Sequence, residues 1–224
     1  ISKYHHRPPD FFIKIKQILL YFQDDIKQTF SNTEIFNFFQ NNKRILLFLF
    51  ENKIIVPTKL IIDSILKKSY SKDRTYRHFF IKEIKLFVDE KTVETIENEI
   101  SNFDQDFYEN FDEKRHNGEN ETYICQLIRK DSVEEFVSYV NRTNYHISSR
   151  KIFPSIFETN SFLIKKNVSL IEYAAFFGSI QIFQYLLLNN VQITPLLWLF
   201  VIHGRKPELI HILEENHINP PNHS

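Results

Sequence analysis

Apolar residues in this chain recur every three to four positions, the spacing of one helix face, and long strict alternation is missing. Between positions 10 and 22, Phe11, Ile15, Ile18, Leu19 and Phe22 fall on one stripe, and Asp10 after Pro8-Pro9 is placed as an N-cap. Further helices are predicted over 33–39, 43–51 and 58–68, the last with Pro57 near its start. Weaker periodicity covers 76–88 and 93–100, and a clearer pair covers 122–129 and 133–140. From 144 to 168, Pro154 and many polar residues predict a long loop with a short helical piece near 155–158. The pattern as a whole predicts an all-α fold.

The helices fall into repeated units. Residues 41–62 align without gaps on 178–199 at a constant offset of 137. Leu49-Phe50 then falls on Leu186-Leu187, Asn52 on Asn189, Ile54 on Val191 and Val56 on Ile193. A third copy runs over 124–136, with Asp131 in the place of Gly178. A fourth opens at Thr194-Pro195-Leu196, puts Phe200-Val201 where Ala174-Ala175 stand and places Gly204 at its turn. Each copy reads helix, tight turn, helix, extended link. One such unit cannot bury its own apolar face, but stacked units can. Ala174 and Ala175, the only two alanines, let paired helices close up. Gly178 after a helix supplies a positive φ without Cβ strain. Pro195 suits a first helical turn, where its missing N–H is not needed.

Ala174-Ala175, Gly178, Leu186-Leu187 and the Thr194-Pro195-Leu196 start together resemble the ankyrin repeat. The specific match covers about 169–216, and the whole chain resembles the divergent, Asn/Ile/Phe-rich ankyrin-repeat proteins of protists. Those carry an amino-terminal helical region of unknown function. The resemblance implies an ankyrin-like helical-repeat solenoid of stacked helix-turn-helix pairs with a long irregular insertion. It implies a divergent helical region over 1–115 and repeats over 116–224, with the insertion at about 141–168. It also implies a non-catalytic scaffold or adaptor that binds another protein through its inter-repeat links and first helices. The contact residues expected on that basis are Asn189, Asn190 and Gln192 in one link, with Arg142, Asn144, Lys165 and Lys166 in the insertion.

Composition narrows the alternatives. At 224 residues, with 42% hydrophobic and 15% aromatic residues, the chain can bury a core and is too apolar for disorder. It has no Met and starts at Ile1, so it is expected to be a piece of a longer chain. A single Cys125 excludes an internal disulfide framework, and its apolar neighbours predict a buried, inert thiol. No apolar run reaches the length of a membrane span, and an intracellular, cytoplasmic home is expected. His203, His211 and His217 lack the spacing of metal ligands on one helix face, and the three glycines stand too far apart for a phosphate loop. Neither a metal, a cofactor nor an enzyme activity is expected. The sole Trp198 sits among leucines and is expected to pack between repeats.

Net charge is zero but uneven: residues 1–88 carry +8, 89–136 carry −10 and 137–224 carry +2. The acidic middle is expected to contact or screen the basic first part. The densest basic segment, 67–77, includes Lys67, Lys68, Lys72, Arg74 and Arg77 interleaved with tyrosines. It reads as a solvated loop, or alternatively as a patch for nucleic acid or anionic membrane.

Overall fold

The computed structural model describes residues 9–71, 75–103, 106–153, 155–164 and 168–221. Among them are sixteen helices and no β-strand, only a single isolated antiparallel bridge between Lys151 and Ser169. The chain divides into two compact units, Ile1–Glu119 with Ser155–Lys165, and Asn120–Pro154 with Lys166–Ser224.

The first unit contains α1 (Pro9–Tyr21), α2 (Gln23–Thr29), α3 (Asn32–Phe39), α4 (Lys43–Glu51), α5 (Lys59–Ser71), α6 (Tyr76–Phe79), α7 (Ile81–Ile84), α8 (Glu90–Phe103) and α9 (Phe111–Asn117). Helix α4 is its centre: every side chain from Ile45 to Phe50 is buried, and they join one core with Ile35, Phe36, Ile62, Phe79, Phe80 and Ile84. A helix hydrophobic all round belongs inside a core. Helix α1 starts at Pro9, which puts Asp10 in its first turn and not at an N-cap. Its inward stripe also differs from the predicted one. Leu19 is buried and Phe12 and Ile15 are partly so, whereas Ile18 and Phe22 are exposed. Besides Leu19, α1 meets the core through Phe12 and Lys16, which lie against Arg44 and Phe48.

Residues 155–164 also belong to this unit. Phe157 is fully buried and stacks on Phe107 at 5.4 Å, and the Lys43 Nζ donates to the Ile156 carbonyl at 3.1 Å. The predicted helical piece near 155–158 is instead a turn, because the Ser155 hydroxyl accepts from the amides of Phe157 and Glu158. Helix begins only at α12 (Ser161–Ile164), where the Asn160 side chain accepts from the Phe162 amide.

The acidic stretch meets the basic one inside this unit. Lys82 donates to Asp112 at 2.6 Å, Lys85 to Glu97 and Arg77 to Glu99. Hydrogen bonding from Lys82 and from Lys85 holds the carboxyls of Asp112 and Glu97 below their ordinary range. The amide of Thr92 does the same for Asp89, and the Ser31 hydroxyl for Glu34.

The second unit contains three helix pairs: α10 (Tyr123–Lys130) with α11 (Val133–Thr143), α13 (Leu170–Phe177) with α14 (Ile180–Leu188), and α15 (Leu197–Gly204) with α16 (Pro207–Glu215). The first helices lie side by side, α13 packing on α10 and on α15, and α11 packs on α14. Within each pair one left-handed residue makes the turn: Asp131, Gly178 and Arg205. A second left-handed residue follows each outer helix: Asn144, Asn190 and His217. Past it the next amide bonds back to the helix, Tyr145 to Val140, Val191 to Leu186 and Ile218 to Leu213. That six-residue closure satisfies a carbonyl the helix end would otherwise leave open. The same device recurs in the first unit at Lys53, with Ile54 bonding to Leu49. Asn52, Asn189 and Asn216 each donate from the side chain to the carbonyl four residues back, all at 2.8 Å.

Gly178 and Arg205 stand 27 residues apart, as do Asn190 and His217. This register sets Ala174-Ala175 against Val201-Ile202 and gives the turn of the last pair to Arg205, correcting the predicted match to Phe200-Val201 and Gly204. Gly204 has another task. A Cβ there would lie 2.2 Å from the Ala175 carbonyl oxygen, so its hydrogen lets α15 close on α13. Neighbouring pairs are also tied by polar bonds. The Asp131 carboxylate accepts from the amides of Gln181 and Ile182 at 3.0 and 2.9 Å, capping α14, and the Ser179 hydroxyl donates to the Ile128 carbonyl. A capping box closes the start of α13 through Ser169 and Glu172, and another the start of α3 through Ser31 and Glu34.

Gly204→Ala is expected to cost about 3 kcal/mol, since backbone rather than a flexible side chain blocks the added methyl. Gly178→Val is expected to cost about 2 kcal/mol through its positive φ. Urea unfolding followed by circular dichroism measures both, and a wild-type midpoint for Gly204→Ala would refute the close approach. Asp112 and Glu97 have folded pKa values below their unfolded ones. Their contribution is therefore complete above the ordinary carboxylate range and is lost as pH falls through the folded values. Between pH 6 and 3, wild type should lose more melting temperature than the Lys82→Ala/Lys85→Ala double variant does.

Candidate functional site

The link between α14 and α15 gathers several exposed side chains. Asn189 ends α14 with its amide turned back onto the Tyr185 carbonyl, Asn190 is held left-handed and exposed, and Gln192 projects from the extended part. Val191 turns inward and is buried. Thr194 and Pro195 form the turn into α15, with the Leu197 amide bonding to the Thr194 carbonyl at 2.9 Å. Beside this link lies an open hollow of about 600 Å³ lined by Leu187, Leu188, Asn190, Val191, Ile193 and Asn216. Its lining mixes apolar Leu187, Leu188, Val191 and Ile193 with polar Asn190 and Asn216; α14 ends in three leucines, of which only Leu186 is fully turned to the core.

Further exposed apolar side chains stand at the start of α15 and along it. Leu196, Leu199 and Ile202 are spaced three apart, on one side of the helix, and Ile202 is 60% exposed. Leu188 is 82% exposed. The opposite side of α15, Leu197, Phe200, Val201 and Gly204, is buried. Trp198 is half-buried and its indole N–H donates to the Ile218 carbonyl at 2.7 Å, fastening the start of α15 to the chain after α16.

Sequence reasoning singled out Asn189, Asn190 and Gln192 but passed over Leu188, Leu196, Leu199 and Ile202. A signal for them was present. From residue 173 to 204 the chain has no Asp, Glu, Lys or Arg. Core helices explain part of that run, but four large apolar side chains within it face solvent. Exposed apolar surface free of charge is what distinguishes the centre of an interface from ordinary surface.

Of the insertion residues, Arg142 lies exposed in the last turn of α11 and Asn144 is its left-handed cap, the place Asn190 and His217 hold in the later pairs. Lys165 and Lys166 lie outside the described residues. Ala174, Ala175, Gly178, Leu186 and Gly204 are buried, while Leu187 reaches the hollow.

In the basic segment, Lys72 and Arg74 lie outside the described residues, Lys68 belongs to α5, and Lys67 is exposed. Arg77 is bound by both oxygens of Glu99, at 2.6 and 2.5 Å, and the His78 Nε2 lies 3.0 Å from the same carboxylate. Both contacts come from one nitrogen, Nη2, so the pair is charge-assisted but is not the two-nitrogen fork.

Cys125 is fully buried. Burial pushes the phenol of neighbouring Tyr145 up. Among the described residues no group of three His, Cys, Asp or Glu side chains is placed to hold a metal ion, and no helix is long and apolar enough to cross a membrane. No family model, curated protein or solved structure matches this chain.

Leu188→Lys and Ile202→Lys should each change stability by less than about 0.5 kcal/mol, because both side chains already face water. The pair together should reduce fluorescence of a hydrophobic dye bound to the folded protein. Unchanged dye binding would mean that these residues do not form the accessible apolar surface.

Proposed function

We propose that this chain is a non-catalytic protein-interaction module built on an ankyrin-like solenoid of stacked helix pairs. The ankyrin part of the reading is supported by the repeated register: a first helix, a left-handed turn, a second helix, a left-handed exit and an extended link. It draws further support from the buried Ala174-Ala175 pair and from Gly178 at its turn. In such a frame the links vary without disturbing the core, and so carry specificity.

The observation that carries the binding reading is four exposed large apolar side chains, Leu188, Leu196, Leu199 and Ile202, in a run without Asp, Glu, Lys or Arg that also holds the exposed Asn189, Asn190 and Gln192. Apolar side chains in that position gain about 25 cal/mol for each Å² that a partner covers, and the asparagines and glutamine supply directional bonds at the border. The alternative, a basic patch for nucleic acid or anionic membrane, has less to rest on, because Arg77 is already engaged by Glu99.

The test is affinity capture from source lysate with chemical cross-linking, at low and high salt. Wild type is expected to recover a defined protein at both salt levels. Recovery should fall with Asn190→Gly/Gln192→Ala and with Ile202→Lys, all checked for wild-type melting. Capture of nucleic acid or anionic lipid alone, lost at high salt, would overturn the reading in favour of the basic segment.

A further inference from the structure

The three first helices of the second unit, α10, α13 and α15, share one register, counted back from the left-handed turns at Asp131, Gly178 and Arg205. Helix α13 packs on the helix before it with one side and receives the helix after it on another. On its backward side the Tyr173 hydroxyl accepts from Arg129 at 2.8 Å, and the Arg129 guanidinium lies over the Phe177 ring. The equivalent residues of α15 are Phe200 and Gly204, both buried, with Gly204 against the Ala175 carbonyl. On the forward side, three residues before each turn, stand Ile128, Ala175 and Ile202. Ile128 and Ala175 are fully buried because the next unit lies on them. The Ser179 hydroxyl donates to the Ile128 carbonyl, and Gly204 closes on Ala175. Ile202 holds the same place and is 60% exposed. Leu199 and Leu196, three and six residues further back, are exposed as well.

Helix α15 therefore presents a helix-packing side with no described helix upon it. A repeat stack that ends in water ends on a polar side. This one ends on two leucines and an isoleucine, within the run 173–204 that lacks Asp, Glu, Lys and Arg. His203 is turned to Phe176, at 5.4 Å between ring centroids. The stripe is also symmetric, since Leu196 and Ile202 stand three residues either side of Leu199. A two-fold axis through Leu199, perpendicular to α15, lays a second α15 antiparallel on the first. Leu199 then meets its own copy, and each Leu196 meets the other copy's Ile202. The exposed cations Arg205 and Lys206 fall opposite the uncharged Gln192 and Ile193 rather than opposite each other. We infer that α15 is a self-association face and that its occupant is the α15 of a second copy of this chain. Only a copy is certain to carry the same charge-free, symmetric stripe. The inference rests on the protein-interaction reading and names the partner of its apolar side chains. One helix side is smaller than the roughly 800 Å² per partner of a stable complex, so the dimer is weak, with a Kd on the order of 100 µM.

Sedimentation velocity between about 1 µM and about 1 mM tests it. The sedimentation coefficient of wild type should rise with concentration to that of a dimer. Ile202→Lys should weaken the dimer at least tenfold with melting unchanged. Ile202→Glu and Leu196→Lys should pair with each other at least tenfold more tightly than either pairs with itself, because the axis sets 196 against 202. Wild type that stays monomeric at about 1 mM overturns the inference. So does a dimer indifferent to Ile202→Lys, or a mixture of the two charge variants that pairs no better than its parts. If the pure protein stays monomeric while a different lysate protein is lost with Ile202→Lys, the interaction reading stands and a second copy is not its partner.

Discussion

The second unit depends on how closely α15 can approach α13. At Gly204 the two backbones nearly touch, with room for a hydrogen and none for a methyl against the Ala175 carbonyl. That contact fixes the spacing of the first helices, which sets where the links emerge and so where Asn190 and Gln192 stand. Ala174 and Ala175 work on the same seam, fully buried with almost no volume. A chain holding only two alanines and three glycines has put three of those five residues here and a fourth, Gly178, at the adjoining turn. Small residues are the scarce component in this composition, and they are spent on backbone proximity.

Left-handed residues are the other constraint, and here the chain uses glycine sparingly. Lys53, Asp131, Asn144, Asn190, Arg205 and His217 all hold positive φ without it. Each carries a strain of roughly 1 kcal/mol, tolerated because the closure behind it satisfies helix-end carbonyls and turns the chain. Asp131 recovers some of that cost directly, since its left-handed backbone aims the carboxylate at the first turn of α14.

Much of this was legible in the sequence. Three-to-four periodicity predicts most of the helices, since packing one face is what makes each of them stable. The alignment of Asn52 on Asn189 and Ile54 on Val191 coincides with identical cap bonds, because that cap depends on local backbone geometry. Misreadings arose where local and distant forces compete. A glycine after a helix normally signals a turn, but Gly204 answers to a neighbouring helix and Arg205 takes the turn. The buried stripe of α1 differs from the predicted one because a helix at an edge buries less than its apolar content allows. Residues 155–158 form a turn where a helical piece is predicted, because the Ser155 hydroxyl competes with helical bonding. As for the candidate site, the link polar residues follow from the repeat pattern. Its apolar half is signalled only by missing charge, a feature shared with any buried segment until exposure is known.

Connectivity has a consequence for the order of events during synthesis. The first unit is not continuous in sequence: Phe157 completes the ring stack on Phe107, and the Ile156 carbonyl receives the buried Lys43 ammonium. Both residues leave the ribosome after α10 and α11, which belong to the other unit. Until then Lys43 has no Ile156 carbonyl to meet and Phe107, though packed on Phe111, lacks Phe157, so the amino-terminal core is completed only after α10 and α11 are made. A nascent chain of this design passes through a stretch of translation in which its largest core is open, and its dependence on chaperones should be concentrated in that interval.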